Sequence, residues 1–148
     1  MDNILVVDDE RNIRTLCSRV LAGDQIEVHG VGTGKEGLQP ADEVSPDLVL
    51  LDLRLPDMDG IEVLRALKGR HAETAVIIIT GFGQIQSAVE AMKAGATDYL
   101  EKPFEHLDKL QLAVARALEE GRAKREIHRL HQLRENEYRV AQHIGACE

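Results

Sequence analysis

The stretch Leu48-Val-Leu-Leu-Asp52 decides the fold, because four apolar residues in a row end in an acid. Two other stretches have the same form: Ile4-Leu-Val-Val7 precedes Asp8, and Val76-Ile-Ile-Ile79 precedes Thr80. Short apolar runs bounded by polar residues are typical of parallel strands that are buried on both faces of a sheet. The sequence therefore predicts three central strands, each followed by a polar side chain.

Two further candidate strands have a mixed composition. Ile26-Glu-Val-His29 alternates apolar and polar residues, and Ala96-Thr-Asp-Tyr-Leu100 is short and mixed. Such strands suit the edges of a sheet, where one side is exposed. Because helical patterns separate all the strands, we expect right-handed crossovers and an α/β fold: an open, doubly wound, five-stranded parallel sheet of order 2-1-3-4-5.

The intervals between the strands carry apolar residues at helical spacing. The predicted core faces comprise Ile13, Leu16, Cys17, Val20 and Leu21 in the first helix, Ile61, Leu64 and Leu67 in the third, and Ile85, Ala88, Val89 and Met92 in the fourth. Asp59 is predicted to cap the third helix, with Glu62 three residues later. The second interval contains Pro40, which has no amide donor, so we expect that helix to be short or bent.

The C-terminal part of the sequence has a helical pattern and no further strand signal. An apolar stripe predicts a fifth helix that packs on the sheet; its members are Leu107, Leu110, Val114 and Leu118. Beyond residue 120 the stripe becomes thin, with Ile127, Leu130, Leu133 and Val140. We therefore expect one domain over residues 1–120, followed over 121–148 by an extended helical linker that could dimerise and lead toward an effector domain outside the chain.

Composition and charge narrow the classes of function. The 148 residues are 43% apolar and 30% charged, with a formal net charge of −8, as in a globular domain. Residues 1–120 hold 22 acids and 12 bases, so direct nucleic-acid binding by this segment is not expected. No apolar run approaches the roughly 20 residues of a membrane span. The first residues lack a secretory signal, so we expect a cytoplasmic protein in which Cys17 and Cys147 are unpaired thiols.

The polar residues that follow the strands are predicted to form one site, because the carboxyl ends of parallel strands meet at one edge of the sheet. They are Asp8, Asp9 and Glu10 after the first strand, Asp52 after the third, Thr80 after the fourth and Lys102 after the fifth. Crowded carboxylates favour a hard cation, and Mg²⁺ prefers oxygen ligands. A carboxylate can also attack phosphorus when the charge of the transferring group is neutralised. Asp52, on the central strand, is the best placed acceptor, with Lys102 as cation and Thr80 as hydroxyl donor.

Each of these residues also has an ordinary structural interpretation. Taken alone, the three acids after the first strand would cap the next helix, and Asp52 would cap a loop. Thr80 would be a turn residue and Lys102 a surface lysine. Their joint placement at the carboxyl ends of successive strands favours the chemical interpretation over these separate ones.

Four stretches strongly resemble the receiver domain of two-component response regulators, in the order and spacing of that family. They are residues 4–10 (ILVVDDE), 46–60 (PDLVLLDLRLPDMDG), 79–81 (ITG) and 91–104 (AMKAGATDYLEKPF). The resemblance covers residues 3 to about 120, and its last motifs are most similar to the receivers of enhancer-binding transcription activators. It implies a flavodoxin-like fold and a phosphorylation-controlled switch that accepts a phosphoryl group from a sensor histidine kinase.

The resemblance also assigns roles to individual residues. Asp52 would be the phosphoacceptor, and Asp8 and Asp9 would hold Mg²⁺ together with Asp52. The backbone carbonyl of Arg54 would be a further metal ligand. Lys102 would bind the phosphoryl group.

The family's switch pair corresponds to Thr80 and Tyr99. A phosphoryl group on Asp52 would draw the Thr80 loop toward the site, and Tyr99 could then turn inward into the vacated space. This movement would reshape the surface formed by the fourth helix, the fifth strand and the fifth helix. The structural alternative for Tyr99 is an ordinary edge-strand aromatic residue.

Two other functions are compatible with part of the pattern. A haloacid-dehalogenase-like phosphatase uses a similar residue set, but its two aspartates form a DxD pair, whereas Asp8 and Asp9 are adjacent. A degenerate receiver could serve dimerisation alone. For a working receiver, we expect a homodimer that forms through the C-terminal tail or through the face of the fourth and fifth helices. We expect only self-phosphotransfer with slow self-dephosphorylation, not an enzyme. Its output would be transcription or, alternatively, an attached sensor, kinase or phosphatase module.

Overall fold

This computed structural model describes the backbone of residues 2–81, 84–102 and 107–146, and the side chains of these residues except 85 and 135–146. Strands and helices alternate along this part of the chain. The strands are β1 (Asp2–Val7), β2 (Ile26–Val31), β3 (Leu48–Asp52), β4 (Ala75–Thr80) and β5 (Asp98–Glu101). The helices are α1 (Arg11–Leu21), α2 (Gly34–Val44), α3 (Gly60–Arg70), α4 (Ile85–Lys93) and α5 (Leu107–Ala146). All neighbouring strands are parallel and their order is β2-β1-β3-β4-β5, which confirms the predicted fold.

The central strands are buried on both faces, as their apolar runs predict. Every residue of β3 and β4 is buried. Because side chains alternate along a strand, Leu51 packs in the cluster beside α2, α3 and α4, whereas Leu50 packs in the cluster beside α1 and α5. The mixed strands β2 and β5 lie at the two edges and keep exposed residues.

Helix α2 has the same length as α1 and α3, although Pro40 lies inside it. The prediction of a short helix is therefore wrong. Pro40 removes one backbone hydrogen bond, but the start of the helix is well supported. The side chain of Thr33 accepts from the amide of Glu36, and the carboxylate of Asp57 accepts from the first two amides. These acceptors satisfy amides that have no partner within the helix and so stabilise its first turn.

The start of α3 follows the sequence pattern, whereas the buried face of α4 differs from it. Asp59 caps α3 by accepting from the amide of Ile61 at 2.9 Å, as predicted. In α4, however, Ala88 is buried while Val89 and Met92 are 49% and 41% exposed. The prediction that Val89 and Met92 belong to the core is wrong, because α4 packs through its alanines and turns the larger side chains outward. Residue 85, the fourth predicted member, has no described side chain.

Helix α5 runs without a break from the domain into the predicted linker. In its first part, Leu110, Val114 and Leu118 are buried as predicted, whereas Leu107 is exposed. In its second part, Leu130 and its neighbours in the thin stripe are at least half exposed. The side chain of Val140 and all of residue 147 lie outside the described part. The boundary at residue 120 stays a prediction, because no break in the helix marks it.

The described helices include none that is both long and apolar enough to cross a membrane.

Candidate functional site

The carboxyl edge of the sheet brings the predicted lysine together with three of the predicted acids. Lys102 follows β5, and its Nζ lies 2.8 Å from Oδ2 of Asp8, 3.1 Å from Oδ2 of Asp52 and 3.2 Å from Oε1 of Glu10. Asp8 is 0% and Asp52 5% exposed. One ammonium therefore faces three carboxylates, two of them buried.

Backbone amides fix the two buried carboxylates to their own loops. Oδ1 of Asp8 accepts from the amide of Glu10 at 2.9 Å, and Oδ1 of Asp52 accepts from the amide of Arg54 at 3.0 Å. Each acid thus uses one oxygen for its loop and places the other near the lysine. Glu10 occupies the N-cap position of α1, but its side chain makes no capping hydrogen bond. The capping interpretation of Glu10 is therefore right for its position, but its side chain contacts Lys102 instead of a helix amide.

Burial and charge act in opposite directions on the pKa values of this cluster. Burial raises the pKa of Asp8, and the negative charge of Asp52 adds to this effect, against the opposing influence of Lys102 and the Glu10 amide. Burial alone would lower the pKa of Lys102, but its close contacts with the negatively charged carboxylates of Asp8 and Asp52 raise it overall. Lys102 therefore remains a cation at neutral pH.

The acids after β1 fit a hard divalent cation. Carboxylate oxygens of Asp8, Asp9 and Glu10 lie within 4.8 Å of one another. Oδ2 of Asp8 is buried and has no well-aligned hydrogen-bond donor, although it lies 2.8 Å from the ammonium of Lys102. Asp9 beside it is exposed, which leaves room for water ligands. A cation that prefers oxygen ligands would satisfy the buried oxygen.

Thr80 lies at the same edge of the sheet. It ends β4 one residue beyond Ile79, which is paired with Asp52 in the register of β3 and β4. Its carbonyl accepts from the amide of Lys102 at 2.8 Å, and the residue is only 2% exposed. The structure thus places Thr80 beside the acidic cluster.

Tyr99 lies outside the cluster. The residue is 42% exposed on the edge strand β5 and borders a surface cleft with Val89 and Met92. Arg54 is exposed as well, and its guanidinium lies beside the side-chain amide of Gln84, just before α4. The predicted switch tyrosine is therefore not in contact with the buried acids.

Asp57 is a candidate functional residue that the sequence pattern did not single out. Its oxygens accept from the amides of Gly34 at 2.8 Å and Lys35 at 3.0 Å, which joins the loop after Asp52 to the start of α2. These hydrogen bonds hold the pKa of Asp57 below its usual range. The pattern of Thr33 followed by Glu36 could have indicated a helix start there, but not which side chain supplies the remaining acceptors.

Comparison with known proteins identifies one family. The model of the response regulator receiver domain matches residues 4–115. The chain is 42% identical over 132 residues to the regulatory protein AtoC of Escherichia coli (strain K12), covering 89% of this chain and 28% of AtoC. It is 39% identical over 115 residues to the DNA-binding transcriptional regulator NtrC of the same organism, covering 78% of this chain and 24% of NtrC. The chain thus spans about a quarter of these relatives.

Solved structures agree with this assignment. The crystal structure of NtrX from Brucella abortus has a TM-score of 0.82 and 39% identity, covering 88% of this chain and 30% of that one. The signal receiver domain of a putative LuxO repressor protein from Vibrio parahaemolyticus has a TM-score of 0.79 and 32% identity, covering 85% and 96%. The sheet order was predicted from the apolar runs and the mixed strands, and the acids at its edge from their positions after the strands. The family match agrees with both predictions, and the chain belongs to the family of response regulator receiver domains, with regulators such as AtoC and NtrC among its relatives.

Proposed function

We propose that this chain is a phosphorylation-controlled switch of a two-component system, which accepts a phosphoryl group from a sensor histidine kinase onto Asp52. One observation carries the proposal: Oδ2 of Asp52 lies 3.1 Å from Nζ of Lys102, at an edge shared with the buried Asp8. The receiver-domain match over residues 4–115 favours this function over a dehalogenase-like phosphatase.

In the transfer, a carboxylate oxygen of Asp52 forms a bond with phosphorus while the bond from phosphorus to the donor imidazole breaks. The electron pair of that bond returns to the imidazole nitrogen, which takes up a proton. Lys102 would pair with a phosphoryl oxygen, because its ammonium already lies within hydrogen-bond distance of Asp52. The hydroxyl of Thr80 would donate a hydrogen bond to another phosphoryl oxygen. Slow hydrolysis of the product by water would reset the switch, without an external substrate.

Asp8, Asp9 and Asp52, with the backbone carbonyl of Arg54, would hold Mg²⁺. When bound, the ion neutralises charge on the transferring phosphoryl group. The buried oxygen of Asp8 without an aligned donor supports this assignment, as does the exposed Asp9. Mg²⁺ keeps water and phosphate oxygens among its ligands, so a site with few protein carboxylates suits it.

The signal would leave through the surface formed by α4, β5 and α5. Phosphorylation would draw Thr80 toward the site, and Tyr99, now 42% exposed, would turn inward. Since Tyr99 borders the exposed Val89 and Met92, this rotation would change an apolar surface that a partner could contact. The output would be transcription, in the cytoplasm, through an effector domain beyond this segment. The alternative is a sensor, kinase or phosphatase module.

The decisive test is replacement of the acceptor. Asp52→Asn should abolish labelling by acetyl phosphate or a phosphoramidate, because the amide cannot form the acyl phosphate; intact-protein mass spectrometry measures the label. Asp42→Asn, at an aspartate of α2 whose side chain is 47% exposed, is the matched control and should label like the original chain. Stoichiometric labelling of the Asp52 variant would defeat the proposal. Absence of any Mg²⁺-dependent NMR change in the original chain would favour a degenerate receiver.

The linker part of α5 would form a homodimer. Ile127, Leu130 and Leu133 are 56%, 52% and 50% exposed and border one surface hollow. Leu130→Ser should weaken self-association about 10-fold or more by sedimentation equilibrium, since a leucine buried between copies contributes roughly 2 kcal/mol. Val44→Ser replaces a comparably exposed apolar residue (56%) on α2, away from this stripe, and should have no effect. A monomer at every soluble concentration, with and without a phosphoryl analogue, would contradict the dimer.

A further inference from the structure

The loop between β3 and α3, residues 53–59, is held at two places. At its base, the amide of Gly60 donates to the first carbonyl of the loop at 3.0 Å, and Arg54 forms an isolated antiparallel bridge with Asp59. At its tip, Asp57 accepts from the first two amides of α2 at 2.8 and 3.0 Å. The loop starts directly after Asp52, so its position affects the geometry of the phosphorylation site.

The start of α2 is a firmly packed support for this loop. A Cβ added at Gly34 would lie 2.5 Å from Cγ of Met58 and 2.9 Å from Cγ2 of Val63. A Cβ added at Gly37 would lie 2.8 Å from Cγ2 of Val7 on β1. Helix α2 therefore packs directly against both the loop and strand β1, without space for an added atom at either contact. Asp57 binds to an element whose own position is fixed by packing.

A carboxylate suits this junction better than any neutral side chain. It offers two acceptor oxygens and no donor, so it can receive both amides at once. Its negative charge also lies at the positive end of the helix dipole. An asparagine would offer one oxygen and would place its own NH₂ group opposite a backbone N–H. The junction is therefore specific for an ionised Asp57.

We propose that Asp57 is a positioning residue for the metal site: by fixing the loop tip on α2, it sets where the backbone carbonyl of Arg54 lies relative to Asp8 and Asp52. This inference rests on the proposed function, because it concerns the Mg²⁺ that Arg54 would help to hold. Without the two hydrogen bonds of Asp57, the loop would sample more positions. Mg²⁺ would then bind only the fraction of molecules in which the carbonyl of Arg54 is correctly placed, so its affinity would fall. Asp57 thus acts on the metal through the loop, without touching it.

The test compares two aspartates of the same loop. Asp57→Asn should weaken Mg²⁺ binding about 10-fold, the lower end of the range for residues that support metal ligands, as measured by NMR titration without phosphodonor. Asp59→Asn removes the same charge from the same loop but keeps an N-cap acceptor for α3, so it should change the affinity less than about 2-fold. Asp57→Glu, which retains both oxygens, should recover part of the loss.

Two further measurements separate positioning from general damage. In labelling by phosphoramidate, Asp57→Asn should raise the Mg²⁺ concentration for half-maximal rate but leave the rate at saturating Mg²⁺ within about 2-fold of the original chain, because it touches no reacting atom. In the NMR spectra, the amides of Gly34 and Lys35 should respond to Mg²⁺ in the original chain and lose that response in Asp57→Asn.

The possible results distinguish failure of the positioning role of Asp57 from failure of the proposed function. Unchanged Mg²⁺ affinity in Asp57→Asn, or equal losses in the Asp57 and Asp59 variants, would overturn the positioning role while leaving the proposed function intact. Failure of the original chain to bind Mg²⁺ would overturn the metal part of the proposed function and this inference with it. If Asp57→Asn does not fold by circular dichroism, Asp57→Glu decides: because the longer side chain should recover only part of the loss, an Mg²⁺ affinity equal to that of the original chain would overturn the positioning role.

Discussion

The carboxyl and amino edges of the sheet use charge in opposite ways. At the carboxyl edge, the single ammonium of Lys102 meets several carboxylates, and the side chains of Asp8 and Asp52 are 0% and 8% exposed. At the amino edge, where α5 leaves the domain, Arg122 and Arg125 each pair with one aspartate and are 57% and 38% exposed. The first arrangement is short of positive charge and shielded from water, whereas the second is balanced, with solvated arginines paired to aspartates that are 16% and 15% exposed.

The amino edge ties the linker helix to the central strands. Arg122 pairs with Asp2 at the start of β1, and Arg125 pairs at 2.5 Å with Asp47, just before β3. Asp47 also accepts from the amide of Asn3 at 2.7 Å. The same two strands carry Asp8 and Asp52, the acids of the proposed phosphorylation site, at their other ends. Exposed, balanced pairs of this kind orient a helix but contribute little free energy.

The two edges differ in how much unfavourable buried charge they contain. Unbalanced buried charge is unfavourable for folding, so its presence at the carboxyl edge supports the proposed binding of a cation and a phosphoryl group there. The pairs at the amino edge are already balanced and require no additional positive charge. Removing a charge should therefore have a large effect at the carboxyl edge and a small one at the amino edge.

The largest effect is expected for Lys102→Met. This change leaves two buried carboxylates without their cation, and we expect a loss of about 3 kcal/mol in the free energy of unfolding, measured with urea. Mg²⁺ should restore more stability to this variant than to the original chain, because it replaces the missing positive charge. Lys109→Met, at an exposed lysine of α5, is the control and should change stability by less than about 0.5 kcal/mol. Equal losses in the two variants would remove the contrast between buried and solvated charge.

The smallest effect is expected for the double variant Arg122→Ala with Arg125→Ala. Two exposed pairs should contribute about 1 kcal/mol together, and 0.5 M salt should shrink that difference by screening. Hydrogen exchange of the amides around residues 119–130 should become faster, while labelling of Asp52 stays unchanged.

Arg129→Ala is the matched control for the amino edge. Its partner is Glu126, at 2.6 Å on the same helix, so it does not tie the helix to the sheet. It should leave hydrogen exchange near residue 119 as in the original chain. Faster exchange there in Arg129→Ala, or a loss of several kcal/mol in the double variant, would show that the amino edge does more than orient the helix.

Much of the fold and of the candidate site could be predicted from local sequence. The apolar runs that end at Val7, Leu51 and Ile79 identify buried parallel strands, because only a sheet covered on both faces hides such runs. Parallel strands then bring their carboxyl ends to one edge of the sheet, so Asp52 and Lys102 had to lie at that same edge. The structure supplies the distances between them.

The remaining features depend on contacts between distant parts of the chain. The helical pattern of α4 shows several apolar residues but not that alanines face the sheet, so Val89 and Met92 were misplaced. Asp57 meets α2 across more than 20 residues, and Arg125 meets Asp47 across 78. A local pattern determines which residues are apolar and which strands are buried. Only the packed tertiary structure decides which polar side chain reaches which distant amide or charge, because that choice depends on the spacing between elements rather than on their composition.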